Sequence, residues 1–185
     1  MTGRKSGDRR PPRAPADAGM TIVELILYGA ISALVSAVVA GVFVSGLQSE
    51  GGTRDRDAAT GSAQLVSTSV QTAIRNSSTF NVTGAKLTAK VAKGTGTEWE
   101  CQSWKLTGAG ELLFKRSPGA IPFTDNSSWV TLATGASGTV IPDRPFEQDG
   151  TRLILRLQVQ VGAETARVST ATNAEALGTG GIPCW

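Results

Sequence analysis

One carboxylate stands where the chain offers it least water. Glu24 heads a run of 23 residues, from Leu25 to Leu47, that carries no formal charge. An acid in such a setting costs free energy unless a partner neutralises it, so Glu24 is a candidate functional residue whose chemistry would be ion pairing. The other candidates are few. The chain has no histidine, which removes Ser-His-Asp and Cys-His arrangements. Glu98 and Glu100 stand two apart and would share one strand face, a spacing that permits a carboxylate pair but that solvated strand acids show as well. Asp143, Glu147 and Asp149, with Gly150, could offer oxygens to calcium from a loop, although their spacing does not match the EF-hand pattern; a solvated loop is the alternative. No motif marks a Ser-Lys dyad. Cys101 and Cys184 are the two cysteines, and without histidine they cannot close a zinc shell. The reading is therefore of a protein that is not an enzyme, with no catalytic residue, metal or cofactor.

The element that must position Glu24 is the uncharged run itself. At about 1.5 Å per helical residue it spans roughly the 30 Å of a bilayer's hydrocarbon core, which predicts a transmembrane helix over about residues 25–47. Arg4, Lys5, Arg9, Arg10 and Arg13 precede it against two Asp, so the positive-inside bias keeps the N-terminus cytoplasmic and exports the C-terminal portion. A secretory signal fits worse, because its small-residue cleavage site should come after a shorter apolar run, whereas here the small residues come first. Pro11-Pro12 directly after Arg9-Arg10 argues against twin-arginine export. An ordinary signal anchor, with Glu24 at interface depth reaching water, is the simple alternative.

The junction carries a resemblance. Gly19-Met20-Thr21-Ile22-Val23-Glu24-Leu25 behind a short basic leader resembles the processing signal of type IV prepilins and pseudopilins. In that family a membrane peptidase cuts after the glycine, the new first residue is N-methylated, and the fifth mature residue is Glu. The resemblance implies that Gly19 is the last leader residue, Met20 the methylated N-terminus and Glu24 the assembly carboxylate. It also implies prepilin peptidase, a pilus assembly platform, other pilin subunits and, before assembly, membrane lipid as partners. The chain departs from the family at Gly41, near which many pilins have a proline that loosens the helix within the filament. Tyr28-Gly29 and a Trp-containing head look more like a minor pilin than a bulk subunit.

Residues 1–19, rich in Arg, Pro, Gly and Ala, cannot build a core. Their loss would take five of 18 basic and two of 15 acidic residues and leave 13 of each, so the basic pI belongs largely to the leader. Direct nucleic-acid binding, which needs a clustered basic surface, is not supported by bulk charge. Gly51-Gly52 and the charged stretch after it mark the membrane exit with a possible kink. Beyond it Ala59, Ala63, Val66, Val70, Ala73 and Ile74 draw one apolar stripe on a helix to about Asn76, expected to pack on the β-structure after it.

From residue 77 the texture is short β-type runs between Gly, Pro, Asn and Ser. Candidate strands lie at 80–83, 87–92, 98–106, 111–115, 129–133, 152–161 and near 165–172, with turns at Gly84, Gly94, Gly96, Gly108 and Gly110. In 152–161 Leu153, Leu155, Leu157, Val159 and Val161 alternate with mostly polar residues, so one face is buried. Export places both cysteines in an oxidising compartment, where a pair is bridged more often than free; two separate thiols, with Cys101 as a buried apolar residue, are the alternative.

The expected fold is α+β, with a long N-terminal helix whose first half spans the membrane, packed on a β-rich globular head. The expected parts are a leader at 1–19, a helical spine at 20–76 and a head at 77–185. The expected function is that of a type IV pilus minor pilin, held in the membrane before assembly and at the pilus or cell surface afterwards, with a role in adhesion, motility or DNA uptake. The alternatives are a type II secretion minor pseudopilin and, in another class, a bitopic membrane protein whose external β-domain is a receptor or hydrolase.

Overall fold

The computed structural model describes residues 21–94, 98–124, 126–140, 143–177 and 184–185; Gly19, Met20, the rest of the leader and Gly96 lie outside them. Among the described residues one long helix, α1 (Ile22–Arg75), is followed by nine antiparallel strands, which makes the fold α+β. The chain divides into two compact units, Met1–Leu47 and Gln48–Trp185.

In the first unit α1 has no inward face. Ile22, Leu25, Ile26, Val35, Val42 and Phe43 are all more than half exposed, and the same holds around the whole circumference. By length and composition the helix is able to cross a membrane. A helix that is apolar all round needs an apolar solvent or a sheath of neighbours, because burying each such side chain is worth about 1.5–3 kcal/mol.

In the second unit the helix becomes amphipathic. Ala59, Ala63, Val66, Ser67, Val70, Ala73 and Ile74 are buried, the predicted stripe with Ser67 added. Gly51-Gly52 do not interrupt the helix, since α1 continues through both glycines. Local interactions hold the turn in helical form: Glu50 pairs with Arg54 four residues on, and Thr53 Oγ1 donates to the Ser49 carbonyl at 3.0 Å. No proline interrupts the ladder there, and neither glycine takes a positive φ.

The stripe of α1 lies against a five-stranded meander: β1 (Ser77–Thr83), β2 (Lys86–Lys93), β3 (Glu98–Leu106), β4 (Leu112–Ser117) and β5 (Val130–Ala133). Register fixes what each face carries. Leu87 opposes Trp104 and Ala89 opposes Gln102, and this face meets the helix, where Trp104 Nε1 donates to Ser69 Oγ at 3.3 Å. The other face carries Lys86, Thr88, Lys90, Cys101, Ser103 and Lys105, with Lys86 opposite Lys105 and Lys90 opposite Cys101. A second sheet is built on β8 (Arg152–Val161), with β6 (Ala136–Gly138) and β7 (Phe146–Asp149) along one edge and β9 (Glu164–Asn173) along the other. Its Leu153, Leu155, Leu157 and Val159 join the helix stripe, Leu87, Trp104 and Phe146 in one core. Val161, expected with them, is only half-buried.

The predicted strands match β1 to β5, β8 and β9 in place and type. The strands β6 and β7 are not foreseen. Gly150, read as a loop glycine, is the first of the two loop residues, Gly150-Thr151, of the β7–β8 hairpin at φ 59°, with Asp149 opposite Arg152; glycine at the first central position is what a type II′ hairpin turn favours.

Candidate functional site

The start of α1 is organised by its own side chains. Thr21 precedes the helix, and its Oγ1 accepts the Glu24 backbone N–H at 3.3 Å, while its carbonyl accepts the Leu25 N–H at 3.1 Å. Thr21-Ile22-Val23-Glu24 is the spacing of a capping box, a Ser or Thr followed three positions later by Glu. The carboxylate does not close the box. It accepts the Tyr28 hydroxyl, one turn further along, at 3.2 Å. A carboxylate in the first helical turn also meets the positive end of the helix dipole, worth about 0.3–1 kcal/mol when exposed. Glu24 is thus stabilised from within its own helix by a dipole and a neutral hydroxyl, and by no cation among the described residues. Sequence reasoning missed the hydrogen bond of Tyr28 to Glu24 and the cap; both are readable from the i, i+4 rule and the T-x-x-E spacing.

Gly19 and Met20, where processing is expected, lie outside the described residues. Glu24 lies three positions from Thr21, the first described residue, on an apolar run with Ile22, Val23, Leu25 and Ile26 exposed around it.

The remaining candidates are spread over the head. Glu98 and Glu100 do share a face of β3, but Glu100 is taken by Gln102 Nε2, which donates at 2.7 Å, and by Lys93 at 4.0 Å. Asp143 sits in a turn at φ 66°, whereas Glu147 and Asp149 are exposed on β7. Among the described residues no three His, Cys, Asp or Glu come together as a metal site. Between Glu147 and Asp149, Gln148 ties the two sheets: its amide donates to the Phe80 carbonyl at 3.3 Å and its oxygen accepts the Val82 N–H at 3.2 Å. A Ser-Lys contact exists in Lys115 Nζ donating to Ser128 Oγ at 2.5 Å, but it is exposed, without the burial that makes a lysine a base.

Cys101 and Cys184 are joined, with Cα atoms 5.5 Å apart. The bridge anchors the C-terminal segment on the outer face of the meander, where Cys101, Leu113, Ile121, Trp129 and Cys184 form a second, smaller core with Phe123 packed against it. Of the lysines on that face Lys90 and Lys105 are buried and Lys86 is exposed. Lys105, 7% exposed, donates to the Phe123 carbonyl at 3.2 Å and to Asn126 Oδ1, and lies 4.9 Å from the Trp129 ring centre. Lys90 lies 5.4 Å from the Trp99 ring centre and Lys86 4.8 Å from that of Phe123. Cation–π contact keeps such ammonium groups tolerable beside a core. Sequence reasoning singled out none of these lysines. Comparison with protein-family models, with curated proteins and with solved structures finds no match to this chain.

Proposed function

We propose that the chain is a non-enzymatic subunit of a type IV pilus-like filament, a minor pilin in type. The observation that carries the proposal is a conjunction at one end of one helix. A Gly-Met-Thr-Ile-Val-Glu signal behind a basic leader opens a helix that is apolar on every side and that continues into the amphipathic helix of an α+β head. An all-round apolar helix needs two successive environments if the head is to be displayed away from the cell: lipid before assembly, and the apolar helices of sister subunits after it. Cleavage after Gly19 would leave a methylated but still positive amine at Met20, and a sister subunit's Glu24 is the carboxylate suited to meet it. Prepilin peptidase and a membrane assembly platform are the partners that such a route requires.

The test is the intact mass of the protein produced with and without prepilin peptidase. Loss of residues 1–19 together with one added methyl group, only when the peptidase is active, is the expected result. A chain that keeps its leader in the presence of active peptidase overturns the proposal.

A second reading has one observation in its favour. Because Thr21 and Tyr28 already engage the Glu24 amide and carboxylate, Glu24 is explicable as the first-turn acid of an uncleaved signal anchor, with the head as an external domain of a bitopic protein. The same mass measurement separates the two.

A further inference from the structure

The C-terminal Trp185 is more than half exposed at 56%, although its neighbour Cys184 is 4% exposed and bridged to the wholly buried Cys101. An indole that could have been left on a free tail is instead fastened to the face of a sheet. Beside it is a hollow of about 180 Å³, lined by Asn81 and Thr83 of β1, Lys86 and Thr88 of β2, Phe123 and Trp185. Two aromatic rings come from segments outside the sheet, and the polar groups come from adjacent, register-locked strands, Thr83 opposite Lys86 and Asn81 opposite Thr88.

The polar groups differ in what they have left to give. Thr88 Oγ1 is engaged with Ser103 Oγ at 2.9 Å. Asn81, Thr83 and Lys86 have no side-chain hydrogen bond or ion pair with another described residue; Lys86 has only its contact with the Phe123 ring. The hollow therefore offers an aromatic surface together with an amide, a hydroxyl and one cation that make no hydrogen bond or ion pair among the described residues, around a space the size of one sugar ring. A concave site with aromatic walls and a few converging polar groups is the usual make-up of a small-ligand site.

We propose that this hollow binds one acidic pyranose residue of a glycan. The axial C–H bonds of the ring lie on the electron-rich indole face of Trp185, the Asn81 amide and Thr83 hydroxyl exchange hydrogen bonds with ring hydroxyls, and the Lys86 ammonium takes the sugar carboxylate. The disulfide acquires a role here beyond stability, because it holds Trp185 over β1 and β2. A nucleic acid is the less fitting anion. Binding a phosphate chain needs several accessible cations in a row, whereas on this face Lys90 and Lys105 are buried at 8% and 7% exposure and only Lys86 enters the hollow. The inference is independent of filament assembly, since it concerns the head of the isolated full-length protein.

Isothermal titration of the full-length chain in lipid nanodiscs, which carry no sugar headgroups, tests it with three probes: trigalacturonate, the neutral galactotriose and octathymidylate. Trigalacturonate is expected to bind saturably and more tightly than galactotriose, with octathymidylate silent. Trp185→Ala should weaken trigalacturonate by about tenfold or more, with Trp185→Phe restoring most of it. Lys86→Gln should cost about tenfold for trigalacturonate and leave galactotriose unchanged. Saturable binding of neither sugar overturns the proposal, as does equal affinity for both sugars in the wild type, wild-type affinity in both Trp185→Ala and Lys86→Gln, or binding of octathymidylate alone.

Discussion

Cutting the Cys101–Cys184 bridge should remove a large share of the head's stability. The bridge closes a loop across a sequence separation of 83 residues. In the chain-entropy treatment a loop of that size restricts the unfolded chain by about 4.5 kcal/mol at 25 °C, against total stabilities of about 5–15 kcal/mol for single domains. The perturbation is best made chemically, by reducing the wild type. Reduction keeps both sulfurs in place, whereas replacing the fully buried Cys101 with alanine adds a cavity term of its own. With a guanidinium slope of about 4 kcal/mol per molar, the reduced protein should unfold at a midpoint lower by about 1 M. Tryptophan fluorescence reads the transition from both cores, through Trp104 in the main one and Trp129 in the smaller one. Cys101→Ala with Cys184→Ala should then fall slightly below the reduced wild type, by the cavity cost of about 1 kcal/mol or less. Coincident midpoints for oxidised and reduced protein would refute the reasoning, since they would mean that the unfolded chain gains no freedom when the bridge opens.

Three further outcomes are expected. Gly135→Ala should destabilise the head by about 3 kcal/mol or more, seen as a lowered denaturation midpoint, because Gly135 has φ 66° and a Cβ there would stand 2.3 Å from the Gln160 carbonyl oxygen, a backbone atom that cannot swing away. Gly51→Ala with Gly52→Ala should raise stability by about 0.5–1 kcal/mol per site, measured by circular dichroism on heating, because both positions are helical and a Cβ meets nothing within 4 Å; a lower melting point would mean that the glycines serve a bend. Glu24→Ala should leave expression, membrane insertion and leader cleavage intact but lower the ratio of this subunit in sheared filaments to that in membranes, and an unchanged ratio would remove Glu24 from assembly.

An element was legible in the sequence to the extent that several independent residues reported the same thing. In β8 the four residues Leu153, Leu155, Leu157 and Val159 alternate against one core, so a period of two was visible and even the strand limits could be read. The stripe from Ala59 to Ile74 was legible for the same reason at a period of 3.6. Neither β6, with three residues, nor β7, with four, has room for a period, and each buries one residue, Ala136 and Phe146. At Gly51-Gly52 intrinsic propensity weighs about 1 kcal/mol against helix per glycine, while the flanking Glu50–Arg54 pair and uninterrupted ladder act in the other direction. The outer face of the meander was the least legible. Its cover comes from Ile121, Phe123, Trp129 and Cys184, which have no common period and come from two separate stretches of chain, Cys184 being held to β3 by the bridge. The hollow at Trp185 inherits that opacity, since it joins residues of two strands, a loop and the C-terminal segment.

Glu24 belongs to both the legible and the hidden part. The bare pattern of an acid ahead of 23 uncharged residues marked it, yet the pattern could not separate a carboxylate waiting for a cation from one that caps its own helix. The geometry allows the two roles to be weighed. Holding an ionised acid at the centre of a membrane helix costs about 2.5–3.5 kcal/mol on insertion scales, and less toward the interface. Against this the chain supplies a first-turn dipole contribution of about 0.3–1 kcal/mol and one neutral hydrogen bond from Tyr28, worth about 0.5–1.5 kcal/mol. At interface depth these two terms are sufficient, and Glu24 needs nothing more while the helix rests in lipid. Drawn into a dry bundle of apolar helices the same residue is left short by about 1–2 kcal/mol, roughly what an added positive group provides. A carboxylate with about four lone-pair sites, one of them given to Tyr28, still has room for that group. On the proposed filament route capping and pairing would be successive states of one side chain: self-sufficient in the membrane, and selective for a cationic neighbour once water and headgroups are gone.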